Sequence, residues 1–399
     1  MSNDLYTPSQ HNANYMLSTG QNIFITGKPG TGKTKLINDF CEREISAGKK
    51  VLLTASTGLA ATNLEQGKTI HSVLRWNPNK KIYNYDECTA LLKQSDILVI
   101  DEVSMLGNSI LKHLDECLRR LDKKLQVVMC GDFFQLPPVT KRGDLIYYPF
   151  ESIYWDNLNL HPCVLQEVVR QQNREYVYML HLAMAGDTRC LKYFNEKTQK
   201  DEIEGAIVLC TKNKFADELN EDSINKLPGK SRIYTAKGEV LKANFKNSRI
   251  LKQLEIKEGM RVMALRNDPQ GKYQNGSLGT VVDMEENSIK VLFDNKNLAE
   301  IHRCTFDVDQ TDGSLESVKV EQFPVRGGYA ITIHKSQGQT FDAVNIMASG
   351  CWAPGQLYVA LSRVRTVEGI HLMVPLKGSD LETNIKVINY YKRLAARVA

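Results

Sequence analysis

The stretch NIFITGKPGTGKTKLINDF, Asn22 to Phe40, constrains this 399-residue chain more than any other. An apolar run ends at Thr26, and Gly27, four residues and Gly32-Lys33-Thr34 follow before a helical pattern begins. That is GxxxxGK(S/T) between a strand and a helix, the context that gives the pattern its meaning. The glycines let backbone N–H groups curl around phosphates, with the helix N-terminus behind them. Gly27, Gly30, Thr31, Gly32, Lys33 and Thr34 are thus the expected nucleotide contacts. Lys33 is expected to reach the β- and γ-phosphates of ATP, and the Thr34 hydroxyl to ligate Mg²⁺. With strand, motif and helix in register, a chance Gly-rich turn is a poor alternative.

Such a start predicts an α/β chain with a parallel sheet, and the next segments agree. KKVLLTASTGLAATNL reads as a buried strand ending in a Ser/Thr/Gly-rich turn. SDILVIDEVSML is a continuous apolar run that ends in Asp101-Glu102, and LQVVMC delivers GDFFQLPPV, Gly131 to Val139. Buried parallel strands read as such runs, and their carboxyl ends carry the chemistry. Asp101 is expected to hold Mg²⁺ through water, and Glu102 to orient or deprotonate the attacking water. Two adjacent acids on a solvated loop would mean little; directly after a strand in a P-loop chain they read as the second nucleotide motif.

Beyond Glu167 the pattern changes. VLQEVVRQQNREYVYMLHLAMAGD sets Arg170 before a helical stretch, and GAIVLCTKNKFADELNEDSI is a strand followed by a helix. GMRVMALRN, NGSLGTVVDM, SIKVLFDN and SVKVEQF are short strands joined by Asn-Gly and Asp-Gly turns, a small antiparallel unit. The α/β pattern returns with YAITIHKSQGQTFDAVNIMAS and GQLYVALSRVRT. We therefore expect two α/β lobes: residues 1–160, and residues 161–258 with 326–399, the β unit at 259–325 being inserted in the second.

Composition narrows the classes. Lys and Arg number 51 against 46 Asp and Glu, a net charge of +5, which admits a nucleic-acid groove without demonstrating one. The 9 cysteines include no CxxC pair, so reduced thiols are expected and not a disulfide frame or zinc site. No apolar run approaches about 18 residues, the first residues carry no signal or transit pattern, and a cytoplasmic location is expected with no membrane partner.

Read together, SQ at Ser9-Gln10, GKPGTGKT, TASTGLAA, TIHS, DEVSM, GDFFQLPPV, EVVRQ, NGSLGTVV, GYAITIHKSQGQT and YVALSRVR resemble, in order and spacing, a superfamily-1 DNA helicase of the 5′→3′ class. The match is to the petite-integration-frequency family in its bacterial or phage form; RecD-like and Dda-like helicases share many of the motifs. The "PFGG"-like turn usual between the acidic motif and GDFFQLPPV is missing here.

The resemblance implies two RecA-like P-loop domains with ATP in the cleft between them and single-stranded DNA across their tops. It also implies a wedge insertion at about 69–95 and a small antiparallel β-barrel at 259–325. Gln10 would read adenine. Gln135 would touch the γ-phosphate and couple it to DNA, while Arg170 and Arg363 would be arginine fingers from the second lobe. Thr57, His71, Ser72, His334 and Lys335 would meet DNA. Ser336, Gln337 and Gly338 would lie near phosphate, with Gln337 also counted among the DNA contacts. Phe133 and Phe134 are counted among the DNA contacts as surfaces for stacking on bases, with core packing as an equal alternative. Trp76, Tyr83 and Tyr85 in the wedge segment are read first as a satellite apolar cluster, with duplex splitting as the other use. The tail NYYKRLAARVA is read as a solvated basic helix end.

The expected activity is ATP-dependent 5′→3′ unwinding of duplex, forked or structured DNA by a monomer that moves on single strands. The alternatives are a translocase that strips proteins with little unwinding, and a DNA-binding subunit with a slow ATPase.

Overall fold

The apolar runs of the first half become one parallel sheet because each can be buried on both faces. The structure, a computed structural model, describes residues 6–56, 68–76, 83–138, 145–171, 173–245, 248, 250–308, 310–311 and 317–398. Strands β1 (Ile23–Gly27), β2 (Val51–Ala55), β3 (Lys68–Thr69), β4 (Ile97–Asp101), β5 (Gln126–Gly131) and β6 (His161–Leu165) lie in the order β3-β2-β4-β5-β1-β6. Their ladders are parallel.

Alternate residues serve opposite faces. Ile23, Ile25, Ile97, Val99, Val128 and Cys130 join Leu17 of helix α1 (Pro8–Ser18) and Leu36, Ile37 and Phe40 of α2 (Lys33–Ser46). Phe24, Leu98, Ile100, Val127 and Met129 join the other cluster. That cluster is covered by α3 (Ile70–Val73), α4 (Tyr85–Gln94), α5 (Asn108–Leu118) and α6 (Ile153–Asn157), through Val73, Leu92, Leu111 and Trp155. A sheet covered on both faces is what continuous apolar strands require.

The chain divides into two compact units, Met1–Asp201 with Ser336–Asp342 and Ala348–Ala399, and Glu202–Lys335 with Ala343–Met347. The division differs from the expected boundary at residue 161. β6 pairs with β1 from Ile23↔His161 to Gly27↔Leu165, so the run HPCVL closes the edge of the P-loop sheet. Helices α7 (Arg174–Met184) and α8 (Arg189–Lys197) belong to the same unit.

In the second unit β7 (Ile207–Cys210) pairs in parallel with two strands numbered below, and α9 (Asn213–Lys226) follows it. The antiparallel part begins earlier than 259. It comprises β8 (Arg232–Thr235), β9 (Lys237–Gly238), β10 (Gln253–Ile256), β11 (Arg261–Ala264), β12 (Leu278–Met284), β13 (Ser288–Phe293), β14 (Leu298–His302), β15 (Cys304–Val308), β16 (Val318–Gln322) and β17 (Val325–Gly327). The strands form the sheets β14-β13-β12-β11-β17, β15-β16-β9 and β10-β8. No closed barrel forms among the described residues. The ladder breaks at Arg303, which leaves the sheet to donate from Nη1 to Thr235 O at 3.0 Å and Gln322 Oε1 at 3.2 Å. The five-stranded sheet and the β10-β8 pair share one apolar core that includes Tyr234, Leu254, Val262, Val291 and Phe323. The parallel partners of β7 are β18 (Ala330–Thr332) and β19 (Val344–Met347).

Returning to the first unit, α10 (Gln356–Leu361) is wholly buried, and α11 (Ile385–Val398) ends the described chain. α11 corrects the reading of the tail as a solvated face. Val387 and Leu394 are buried, and Tyr390 and Tyr391 pack against the Phe24 cluster. These residues are spaced i, i+3, i+4 and i+7, the stripe of an amphipathic helix. The wedge aromatics take the packing option. Trp76, Tyr83 and Tyr85 lie against that same cluster, with the Tyr83 ring 4.2 Å from His113.

Candidate nucleotide site

Strand order sets the site. β4, β5 and β1 are neighbours, so Asp101, Gly131 and Gly27 end side by side along one edge. Adjacent strands are about 4.8 Å apart, so the acidic pair, the GDFFQ turn and the P-loop span about 10 Å. Gly32 caps α2 with φ 81°, a conformation that glycine adopts freely, and a Cβ there would strike the Gln10 amide. Lys33 Nζ donates to Gly27 O at 2.6 Å and Lys28 O at 3.1 Å, holding the ammonium over its own loop. Thr31 Oγ1 donates to Lys28 O at 2.9 Å, and Gly30 O accepts from Val169 N at 2.8 Å and Arg170 N at 3.0 Å. Thr34 is exposed in the first turn.

Gln10 is buried in a capping box. Its Oε1 accepts from Thr7 N at 2.9 Å, and its Nε2 donates to Thr31 O at 2.9 Å. The amide therefore braces the P-loop, with one N–H uncommitted among the described residues.

Asp101 is 6% exposed, and its Oδ1 accepts from Glu102 N at 2.8 Å. Burial, and then the charge of Glu102, hold the Asp101 carboxyl above the ordinary range. No Lys or Arg makes an ion pair with it among the described residues, so a cation suits the position. Thr34 and Asp101 are the oxygen donors that fit Mg²⁺, an ion that keeps waters and phosphates as its remaining ligands. Glu102 has φ 52° and ψ 44°, a left-handed conformation that costs a non-glycine residue about 1–3 kcal/mol. It is held there by Ser56 Oγ donating to its carbonyl at 2.6 Å and by Gln337 Nε2 donating to Oε2 at 2.9 Å.

The GDFFQ turn is anchored on Asp132, whose Oδ1 accepts from Phe134 N at 3.0 Å. Gln135 is 4% exposed. Its Nε2 has a long 3.5 Å contact with Asp132 Oδ2, and its Oε1 accepts no hydrogen bond among the described residues. Pro137 and Pro138 are buried behind it. Phe133, at 1% exposure, presents no face for a base. Its ring packs among Phe24, Phe150, Tyr390 and Trp155 at 5.0–5.6 Å, which corrects its placement among the DNA contacts. Phe134 is half-buried and stacks on Tyr391 at 4.8 Å. Phe133→Ala should lower the free energy of unfolding by about 3–5 kcal/mol in a denaturant titration. An unchanged midpoint with weaker single-strand binding would restore the stacking role.

Arg363 is 2% exposed. Nε donates to Val359 O at 2.8 Å, Nη1 to Ser336 O at 3.2 Å and Gln339 O at 3.1 Å, and Nη2 to Ser362 Oγ at 2.8 Å. Burial, and then the charge of Arg170, push its pKa down to about 10. Arg170 donates from Nη1 to Ser362 O at 3.4 Å, and burial lowers its pKa also. Both lie in the unit that carries the P-loop.

The expected DNA contacts are scattered. Thr57 lies outside the described residues. His71 sits edge-on to Trp76, 5.3 Å away, and Ser72 Oγ donates to Thr69 O at 2.9 Å. His334 and Lys335 belong to the second unit. Burial pushes the His334 pKa down to about 4, and burial and then Arg326 lower that of Lys335. Gln337 turns its amide to Glu102, and Gly338 is exposed with φ 77°.

Two residues escaped the sequence reading. Gln171 is buried with its Oε1 unpartnered among the described residues, 2.5 Å from where a Cβ on Gly30 would stand; its place next to Arg170 in EVVRQ was the available signal. Tyr391 was hidden in the tail.

The PIF1-like helicase family model matches residues 10–179. The ATP-dependent DNA helicase Pif1 of Bdellovibrio bacteriovorus is 31% identical over 97% of this chain and 92% of its own. The Danio rerio ATP-dependent DNA helicase PIF1 is also 31% identical, over 94% of this chain and 62% of its own length. Among solved structures, Bacteroides sp Pif1 in complex with ADP-AlF4 has a TM-score of 0.78 at 30% identity, covering 98% of this chain and 97% of that one. Pif1 helicase from Candida albicans has a TM-score of 0.84 at 28% identity, covering 98% and 99%. The likeness runs nearly end to end, and the span matched by the family model contains the P-loop, the acidic pair and the GDFFQ turn. The chain belongs to the PIF1-like helicase family of ATP-dependent enzymes.

Proposed function

We propose that this chain is an ATP-dependent DNA helicase that moves 5′→3′ along single-stranded DNA as a monomer and opens duplex or forked DNA. The observation that carries the reading is the arginine pair. Arg363 is a buried guanidinium and Arg170 a half-buried one, neither with a carboxylate in ion-pair contact among the described residues, and Arg363 feels the charge of Arg170. Buried charge of one sign needs a counter-charge. The triphosphate of ATP supplies it beside the P-loop.

The residues then divide the work. Lys33 exchanges the carbonyls of Gly27 and Lys28 for β- and γ-phosphate oxygens. Glu102, aimed by Gln337, accepts the proton of the attacking water. Arg170 and Arg363 stabilise charge on the transferring phosphoryl group. Gln135 keeps its amide N–H groups for a γ-phosphate oxygen, since its contact with Asp132 is long. Gln10 meets the adenine. Bound Mg²⁺ supplies positive charge to the phosphate oxygens, and Thr34 and Asp101 would hold it. His71, Ser72, His334 and Lys335 are retained as DNA contacts, mostly to the backbone. No helix among the described residues is long and apolar enough to cross a membrane.

One set of assays tests the reading: ATPase with and without single-stranded DNA, beside unwinding of 5′-tailed and 3′-tailed duplexes. DNA should accelerate hydrolysis, and the 5′-tailed duplex should open. Preference for the 3′ tail overturns the direction, and ATPase indifferent to DNA overturns the helicase.

A further inference from the structure

Three elements meet at one phenolic oxygen on α11. Tyr391 OH lies 2.6 Å from Thr26 Oγ1, the last residue of β1 before Gly27. It accepts from Phe133 N at 3.1 Å and reaches Asp132 Oδ1 at 3.5 Å. A phenol donates once and accepts twice. With Thr26 donating to Tyr391, the phenol proton points at Asp132 across a contact as long as that of Gln135, so the attachment rests on the Thr26 and Phe133 bonds. Asp132 is the group whose Oδ1 fixes Phe134 N and whose Oδ2 faces the Gln135 amide. The ring does separate work, stacking on Phe134 with an interplanar angle of 15°. Next to it, Tyr390 stacks on Phe150 at 4.3 Å.

We propose that Tyr391 is a positioning residue for ATP turnover, its hydroxyl locking the Asp132–Gln135 turn to the P-loop strand so that the two move as one body. The proposal deepens the reading of Gln135 as the phosphate contact and rests on it. Burial, and then the Asp132 carboxylate, push the phenol pKa up, so the proton stays available for Asp132. Without the hydroxyl, Thr26 loses its partner, the Phe133 N–H has no acceptor, and the turn is held by its own bonds alone.

The test separates ring from hydroxyl. Tyr391→Phe keeps the stack, Thr26→Val removes the other half of the contact, and the double variant closes a cycle. We expect Tyr391→Phe to lower kcat in the presence of single-stranded DNA about tenfold, the size of one lost buried hydrogen bond, with the KM for ATP little changed. Thr26→Val should do the same, and the double variant should be no worse than Tyr391→Phe, because both delete one interaction. A melting temperature that falls while kcat holds, or effects that multiply, would show that α11 only packs. Should Tyr391→Phe fail to fold, Thr26→Val carries the kcat measurement alone. If wild-type ATPase proves indifferent to DNA, the functional reading fails and Tyr391 is judged on basal kcat: unchanged overturns the proposal, lowered supports it. Gln135→Ala, run alongside, shows whether the turn acts through that amide. Loss of stimulation there matches Tyr391→Phe, and full stimulation in both overturns the lock.

Discussion

Lys33→Ala and Glu102→Gln should each reduce DNA-stimulated ATP hydrolysis by about 10²–10⁴-fold, the usual cost of losing a charge-stabilising donor or a general base. The two losses differ in kind. Among the described residues Lys33 is bonded only to carbonyls of its own loop, at 2.6 Å and 3.1 Å, so its ammonium is free to change partners. Alanine removes a phosphate contact made before and during transfer, so nucleotide affinity should fall with turnover. Glu102→Gln keeps the shape. Ser56 still donates to the backbone carbonyl, and the new amide oxygen can still accept from Gln337. Here kcat should collapse while the KM for ATP stays close to wild type, since only the base is gone. Steady-state phosphate release at saturating single strand measures both. Near-wild-type turnover in either variant would remove that residue from the mechanism.

Arg363→Ala should be as damaging, for two reasons that can be told apart. Arginines that stabilise a transferring phosphoryl group contribute about 10³–10⁵ in rate. The guanidinium also binds the carbonyls of Ser336, Gln339 and Val359, so its removal leaves buried acceptors unpaired. Each costs about 1–3 kcal/mol, and the melting temperature should drop. Arg363→Lys retains a charge but cannot fork to three carbonyls. At a temperature where the variants remain folded, turnover should still fall at least about 10²-fold in both, with single-strand affinity close to wild type. Turnover that survives, with only DNA affinity reduced, would assign Arg363 to the DNA.

What could be read in advance follows from how local each signal is. The P-loop, Asp101-Glu102 and the GDFFQ turn sit at strand ends, where an apolar run and its polar terminus are contiguous in sequence. Their convergence followed from a parallel sheet. Contacts between distant segments were not legible. Phe133 N meets Tyr391 across 258 residues, and nothing near either one announces the other. Gln337 was placed among the DNA contacts because KSQGQT has no local feature that aims its amide at Glu102. The short strands and Gly turns pointed to antiparallel pairing but not closure, and the barrel was what the family resemblance implied. Closure depends on whether the last ladder meets the first, and Arg303 interrupts it. In α11 the stripe of Val387, Tyr390, Tyr391 and Leu394 was visible, but its Lys and Arg residues drew the reading toward solvent.

The aromatic cluster beneath the GDFFQ turn has an optical consequence. Trp155 is one of the 3 tryptophans in the chain, and its ring centroid lies 5.6 Å from that of Phe133 and 5.1 Å from that of Phe24. An indole sealed in hydrocarbon emits to the blue of one in water, and its quantum yield depends on the groups that press against it. The site thus carries its own label-free gauge. Any displacement of Phe133 against Trp155 would change that emission, so the tryptophan reports on the turn directly.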